Sequence, residues 1–365
     1  MNQQKEKGRT IVFLAMALSQ PRCIKRVTSL KEYGFDCEVF GYDRGKYDVN
    51  AYPQDVKVTN LGTLKDNEYV GKAIKVFRDI LRVRKQHHKE KPVYFAFGIF
   101  QALYLKLLGE RYVYEISDIL YAYPRFERLM GLLKAIDKKI IRGSLATVMT
   151  SGGFYSFFSI DKQNIFVVPN KVSPSLRRPA IAQKHTDKLS FGFVGSLRYK
   201  TILDFAEVIG EYFPQYEFHF WGGLKEGPMK EAVDGLVKRF SNVIYHGAFK
   251  NPDDLPVIYE SFDITVACYQ VSSLNERIAE PNKLYESLFF SKPIVVSEGI
   301  YLSERVKALN CGYCIDANSK ENVKAFVEGL SVDRVRLLSE LIRKIEDDLI
   351  VNNQDDLNAY LWKSY

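Results

Sequence analysis

The chain contains no run of about eighteen apolar residues, so no membrane-crossing helix is expected from it. Cysteine is scarce: 5 among 365 residues, at Cys23, Cys37, Cys268, Cys311 and Cys314. An odd and scattered set excludes a disulfide framework and fits a reducing compartment. Cys311 and Cys314 form one CxxC with no second pair of soft ligands. They read as small residues beside a glycine turn, and no metal is expected. No GxGxxG follows any strand-like run, which disfavours a dinucleotide oxidoreductase. Internal repeats and low-complexity tracts are also absent.

What is present is charge, unevenly placed. The net charge is +8. Residues 1–172 hold 29 Lys/Arg against 17 Asp/Glu, a balance of +12, while residues 173–365 hold 23 against 27, a balance of −4. Positive charge confined to one half directs that half toward an anionic membrane surface or a phosphorylated lipid; no nucleic-acid motif accompanies it. The densest stretch is Tyr69–Lys91, with Lys72, Lys75, Arg78, Arg82, Arg84, Lys85, Lys89 and Lys91 against Asp79 and Glu90. Ile74, Phe77, Ile80 and Leu81 supply an apolar stripe at helical spacing. The stretch therefore reads as a surface helix packed by that stripe, with a basic face open to water or to an anionic membrane. His87 and His88 read as exposed residues at its end.

Lys5, Lys7 and Arg9 precede the apolar stretch Ile11–Leu18. That stretch is short and runs into Ser19-Gln20-Pro21-Arg22, so it reads as a first buried strand rather than a secretion signal. The expectation is a cytoplasmic protein, peripheral on the inner face of the membrane. Apolar runs at Cys37–Phe40, Val93–Phe97, Tyr112–Ile116, Ala146–Thr150 and Ile165–Val168 then alternate with helical spacing at Arg22–Tyr33, Phe100–Leu108 and Phe126–Arg142. Continuous apolar strands alternating with helices predict a parallel sheet covered on both faces. Pro169, Asn170, Pro174 and Pro179 break the series, and Asn170–Asp187 reads as a linker. A second series follows, with strands at Leu189–Val194, Glu217–Trp221, Val243–Tyr245, Ile264–Ala267, Pro293–Val296 and Tyr313–Ile315. The expected organisation is α/β: a doubly wound domain over 1–172, a second over 173–348, and a tail over 349–365 packing back on the first. Ligands of such sheets bind outside the carboxyl ends of the strands, in a cleft that two facing domains would share.

Three loops of the second series carry suitable chemistry. In Gly195-Ser196-Leu197-Arg198-Tyr199-Lys200 a glycine ends a strand and two cations follow, a pattern for a diphosphate or for an ordinary turn. Trp221-Gly222-Gly223 and His246-Gly247 allow close backbone approach to a base or sugar. In Glu280-Pro281-Asn282-Lys283-Leu284-Tyr285-Glu286, Pro281 suits the first position of a helix whose free amides favour an anion. Lys283 adds charge, and Glu286 lies one turn on, within reach of a ribose.

The order of these pieces resembles the group 1 glycosyltransferases (family 4, retaining, GT-B fold). The resemblance runs from Tyr114-Glu115-Ile116-Ser117-Asp118 through Val168-Pro169-Asn170 and Gly195–Lys200 to Pro281–Glu286 and Ser291-Lys292-Pro293. It implies two Rossmann-like domains facing across a cleft, the first on the acceptor side and the second holding a nucleotide-sugar donor. It places Arg198, Lys200 and Asp118 in the catalytic role. Donor contacts fall to Gly195, Ser196, Trp221, Gly222, Gly247, Glu280, Asn282, Lys283, Leu284 and Glu286. It implies no cofactor and no metal, since the nucleotide sugar is the substrate, and a saccharide or lipid-linked acceptor used in surface polysaccharide synthesis. Two departures stand out. Ile278 occupies a position where the family often has Glu, with Glu276 and Glu280 flanking it. The first loop, Leu18-Ser19-Gln20-Pro21-Arg22, lacks the family's glycines, leaving Arg22 as the candidate cation. An epimerase-like enzyme of the same fold and an inactive scaffold subunit are the alternatives.

Overall fold

A computed structural model describes residues 9–43, 52–64, 69–179 and 188–365. Lys5, Lys7 and the second half of the expected linker, 180–187, lie outside them. The chain divides into two compact units: Met1–Pro169 with Asn353–Tyr365, and Asn170–Asn352.

The first unit is built on seven strands: β1 (Thr10–Ala15), β2 (Asp36–Asp43), β3 (Lys57–Thr63), β4 (Val93–Phe97), β5 (Tyr112–Ile116), β6 (Ala146–Met149) and β7 (Ile165–Val167). They pair in the order β3-β2-β1-β4-β5-β6-β7, each neighbour parallel. Central strands such as Val93-Tyr94-Phe95-Ala96-Phe97 are buried along their whole length, because helices cover both faces. β3 carries no apolar run. It is an edge strand of mostly half-exposed or exposed residues, held by its ladder to β2, and the apolar pattern did not reveal it.

The second unit repeats the plan with β8 (Ser190–Val194), β9 (Glu217–Trp221), β10 (Val243–Tyr245), β11 (Ile264–Ala267), β12 (Ile294–Ser297) and β13 (Gly312–Ile315). Their order is β10-β9-β8-β11-β12-β13, again parallel. In both sheets the strand order reverses at the first strand, between β1 and β4 and between β8 and β11. The helices after those strands go to opposite faces, which opens a crevice outside their carboxyl ends.

Several expectations shift. The helix expected over Phe126–Arg142 is a 3-10 segment, Pro124–Leu129, followed by an α-helix, Met130–Gly143. Residues 170–179 do not hang free as a linker: Val172 bridges Val351, and Arg178 is tied into the second unit. The last helix, Asp355–Ser364, belongs to the first unit. Its Leu357 and Leu361 are buried with Val27, Leu30 and Phe35, worth roughly 1.5–3 kcal/mol each. Arg26 fixes it in place, with Nη1 donating to Gln354 Oε1 at 2.8 Å, Nη2 to Val168 O at 3.0 Å and Nε to Glu115 Oε2 at 2.9 Å.

The basic helix spans Tyr69–Gln86, but its buried face differs from the expected stripe. Val76, Ile80 and Val83 face the core together with Asp79, whereas Ile74 and Leu81 are exposed. Asp79 is drawn inward by Tyr42 Oη at 3.0 Å and Lys75 Nζ at 3.0 Å, which rotates the helix away from its most apolar stripe. His87 is buried rather than exposed: the chain leaves the helix there, and the ring turns edge-on to Phe40 with Nδ1 3.0 Å from Val83 O. His88 stays exposed.

Candidate active site

The crevice between β8 and β11 gathers much of what the sequence singled out. Gly195 follows β8 directly, with φ 134°. A Cβ there would stand 2.7 Å from Lys283 Nζ, so the lysine ammonium lies directly over this turn. Gly222, after β9, has φ 158°, and a Cβ on it would come within 1.9 Å of Gly195 O. No other residue fits so close to a neighbouring backbone. Gly195 N donates to Trp221 O at 2.8 Å, and Gly222 N to Gly247 O at 2.7 Å. The three glycines thus continue the pairing of β8, β9 and β10 past the strand ends as one tier of backbone turns.

Two helices start at this edge. One spans Lys200–Tyr212 behind Tyr199, the other Asn282–Phe289 behind Pro281, and neither has a side-chain cap. Pro281 is the N-cap itself, with extended ψ of 153°, and not the first helical residue as expected. Leu284 N turns back to Pro281 O at 3.2 Å, which leaves the amides of Asn282 and Lys283 as the outward donors of this helix. Leu284 contributes no side chain, being wholly buried. The second helix is aimed by Ser287 Oγ, which donates to Thr265 Oγ1 at 2.8 Å, and the first by Thr201 Oγ1, which donates to Cys268 O at 2.6 Å.

Lys283 Nζ lies 5.0 Å from the ring centre of Phe193 and 5.8 Å from that of Tyr269. Burial pulls its pKa down, Glu286 supports its charge, and Arg198 opposes it. Arg198 is exposed, its guanidinium 5.0 Å from the ring of Tyr199, and Tyr199 packs on Tyr269 at 4.7 Å. Lys283 and Arg198 therefore act on one another through the same small volume beside Gly195. Bringing a lysine and an arginine together over the start of a helix makes a site for an anion of more than one charge. Ser196 is exposed in the same turn. Lys200 is exposed as well, and both oxygens of Asp204 accept from its Nζ, at 2.7 and 2.6 Å.

Glu286 is buried, and its carboxylate accepts from Tyr259 Oη at 2.9 Å and Asn251 Nδ2 at 3.4 Å. Glu280 is buried too, accepting from Tyr285 Oη at 2.6 Å and Arg305 Nε at 3.0 Å. Glu276 closes the capping box of Leu274–Ile278, with Oε2 accepting from the backbone and hydroxyl of both Ser272 and Ser273. Ile278 ends that short helix. Asn282 Oδ1 accepts from Asn170 Nδ2 at 2.7 Å. Trp221 is buried under His246, the rings 4.2 Å apart and 3° from parallel; the edge of this stack continues through His219 to Glu217. Asp118 belongs to the first unit, where it is exposed and accepts from Tyr123 Oη at 3.1 Å.

Sequence reasoning missed Phe193 and Tyr269 as the aromatic floor beneath Lys283, Tyr199 as the ring beneath Arg198, and Tyr259 and Asn251 as the holders of Glu286. Tyr269 follows β11 directly, but its position at the crevice becomes legible only once the strand order is known.

Residues 188–332 match the family model described as glycosyl transferases, group 1. The chain is 21% identical over 377 residues to the succinoglycan biosynthesis protein ExoL of Rhizobium meliloti (strain 1021), covering 96% of this chain and 91% of that one. Among solved structures, sucrose-phosphate synthase from Thermosynechococcus elongatus superposes with a TM-score of 0.73 at 14% identity, covering 98% of each chain. HepE from Anabaena, solved in complex with UDP and glucose, does so with a TM-score of 0.68 at 12% identity, covering 97% of this chain and 98% of that one. Residues 188–332 thus resemble the group 1 glycosyl transferases, and the chain is a glycosyltransferase of the GT-B fold.

Proposed function

We propose that the enzyme takes its sugar from a nucleoside-diphosphate sugar held by the second unit. It passes that sugar to a saccharide or lipid-linked acceptor, with retention of anomeric configuration, in the assembly of a surface polysaccharide. The observation that carries this reading is Lys283 Nζ, lying over Gly195 between two uncapped helix starts. When the bond from the sugar's anomeric carbon to the diphosphate oxygen breaks, negative charge grows on the departing diphosphate. Fixed cations and amides aimed at that position stabilise it without reorganising. Lys283 and Arg198 are the inner pair, the amides of Asn282 and Lys283 the backbone donors, and Lys200 the outer cation, shared with Asp204. Gly195, Ser196, Gly222 and Gly247 give the phosphates and base room against backbone. Trp221 stiffens that edge, and Glu280 fixes the loop before the helix. Glu286 receives the ribose hydroxyls: a carboxylate has about four acceptor positions, and Tyr259 and Asn251 use two. Asp118 is assigned to the transfer step on the family resemblance. That ExoL is named for succinoglycan biosynthesis, and that HepE was solved with UDP and glucose, support the choice of substrates. The amphipathic basic helix of the first unit supports an acceptor presented at a membrane.

Calorimetric titration with UDP, GDP, ADP, dTDP and CMP tests the donor assignment. One nucleotide should bind well above the others. Arg198→Ala and Lys283→Ala should each weaken it by about 10–100-fold, the effect of losing a charge-assisted hydrogen bond. Equal affinity in wild type and both variants would refute it.

A further inference from the structure

The first unit has its own crevice, between β1 and β4. Gly98 follows β4 and is the N-cap of the helix Ile99–Leu107, with φ 133° and no side-chain cap. Gln101, in the first turn, is 2% exposed, and neither its amide nitrogen nor its amide oxygen has a hydrogen-bond partner among the described residues. The side chain is aimed back at the crevice: a Cβ on Gly98 would stand 3.2 Å from Gln101 Oε1, and 4.0 Å from Cγ of Met16, just beyond β1. Met16, Gly98, Ile99 and Phe100 are only half-buried, so the surface begins one layer above the amide. On the next strand, Glu115 stands in register with Phe97 at the end of β4. Its Oε1 is also buried without a hydrogen-bond partner among the described residues, with Arg22 Nε 3.9 Å away.

A buried primary amide with nothing to bond is costly, and folded chains keep such groups where a ligand completes them. The chemistry of the open groups selects that ligand. The free helix amides and the Gln101 NH2 are donors, while Gln101 Oε1 and Glu115 Oε1 are acceptors. An anion would meet two oxygens it cannot bond. A hydroxyl both donates and accepts, and two neighbouring hydroxyls match the two ends of one amide. The family resemblance already gives the first unit to the acceptor; we infer that Gln101 is the residue that selects it, by reading a pair of adjacent hydroxyls on a neutral sugar ring. The inference rests on the glycosyltransferase reading. Met16, beside Gly98, is an unbranched thioether that can shift to admit a ring.

The test uses the full chain, wild type and Gln101→Met, without donor. Methyl glycosides of glucose, galactose and mannose are the probes, followed by saturation-transfer NMR, with inorganic phosphate as competitor. Melting curves and calorimetry with the nucleotide selected above run in parallel. Wild type should bind at least one methyl glycoside, and the variant should bind it at least about tenfold more weakly. Ligand-free variant should melt at the same temperature or higher, since an apolar side chain of similar shape removes an unpaired amide. Its nucleotide affinity should not change. Gln101→Leu repeats the test should methionine pack poorly. The proposal falls if wild type binds none of the glycosides, if the variants bind them equally, or if they melt lower, which would mean that the fold itself satisfies the amide. It also falls if phosphate displaces the glycoside, which would make the crevice an anion site. Failure of the donor reading would show separately, as loss of nucleotide binding in wild type.

Discussion

At the scale of single residues, burial sets the chemistry of groups that composition alone would treat as ordinary. Asp137, on the inner face of the helix Met130–Gly143, is 1% exposed and accepts from Tyr121 Oη at 2.9 Å. Burial raises its pKa from 3.8 to about 6, against the opposing pull of hydrogen bonds from Tyr121 and Tyr114. The folded state therefore keeps this proton to a higher pH than the unfolded state does. The stability it confers is complete below the unfolded pKa and is lost as pH rises through about 4 to 6. A shift of this size corresponds to roughly 3 kcal/mol between the two limits. Asp137→Asn should remove that dependence: wild type should gain stability against the variant between about pH 8 and pH 4. Urea midpoints across this range check it, and parallel curves for the two proteins would show that Asp137 is not held in its acid form.

At the scale of elements, one side chain from a segment that reads as linker holds the helix Asn282–Phe289. Arg178 donates to Leu288 O, Phe289 O, Ile342 O and Ile345 O at 2.9–3.2 Å, and pairs with Asp347 at 3.1 Å. It thus caps the carboxyl ends of two helices, Asn282–Phe289 and Val332–Arg343: Leu288 O and Ile342 O also accept from Ser291 N and Ile345 N, while among the described residues Phe289 O and Ile345 O accept from the guanidinium alone. Arg178→Ala would strand Phe289 O and Ile345 O and should cost on the order of 1–3 kcal/mol. Because the other end of Asn282–Phe289 carries Lys283, nucleotide affinity should fall with it, and Arg178→Lys should recover only part. Denaturation and calorimetry on the same samples check both effects; an Ala variant of wild-type stability would show that water replaces the guanidinium. Pro281 marked the start of the first helix in the sequence, but nothing near Arg178 in the chain shows what it will reach. Its acceptors are more than a hundred residues away.

At the scale of the molecule, charge and exposed apolar surface coincide in the first unit. On the helix Tyr69–Gln86, Val70 is 74% and Ile74 56% exposed, beside a groove of ≈ 300 Å³ lined by Gly71, Lys75, Arg78, Asp79 and Arg82. Leu129 and Leu132, at the start of the helix Met130–Gly143, are also exposed. Water gains nothing from these side chains, whereas a membrane interface would bury them and draw the basic groups toward anionic headgroups at about 1 kcal/mol each. The protein should sediment with anionic vesicles at low salt, stay in solution with neutral ones, and be released as salt rises. Val70→Asp with Ile74→Asp should weaken sedimentation without changing nucleotide affinity. Equal partition into both kinds of vesicle would sink the idea.

The sequence alone determined the class of the fold, because buried parallel strands must be apolar throughout and cannot be disguised. It located the glycine turns after β8, β9 and β10, the cation-bearing loop and the helix behind Pro281, since each is a local pattern with a local physical cause. Long-range register lay beyond it. Edge strand β3 is held by its neighbour rather than by its own residues, and the basic helix turned because Tyr42, from another strand, captured Asp79. Lys283 proved to be the cation over Gly195, while Lys200 is engaged by Asp204, its neighbour one turn along. These outcomes turn on which strands lie side by side. Tertiary packing decided them, because burial and hydrogen-bond satisfaction are settled among residues that the chain keeps far apart.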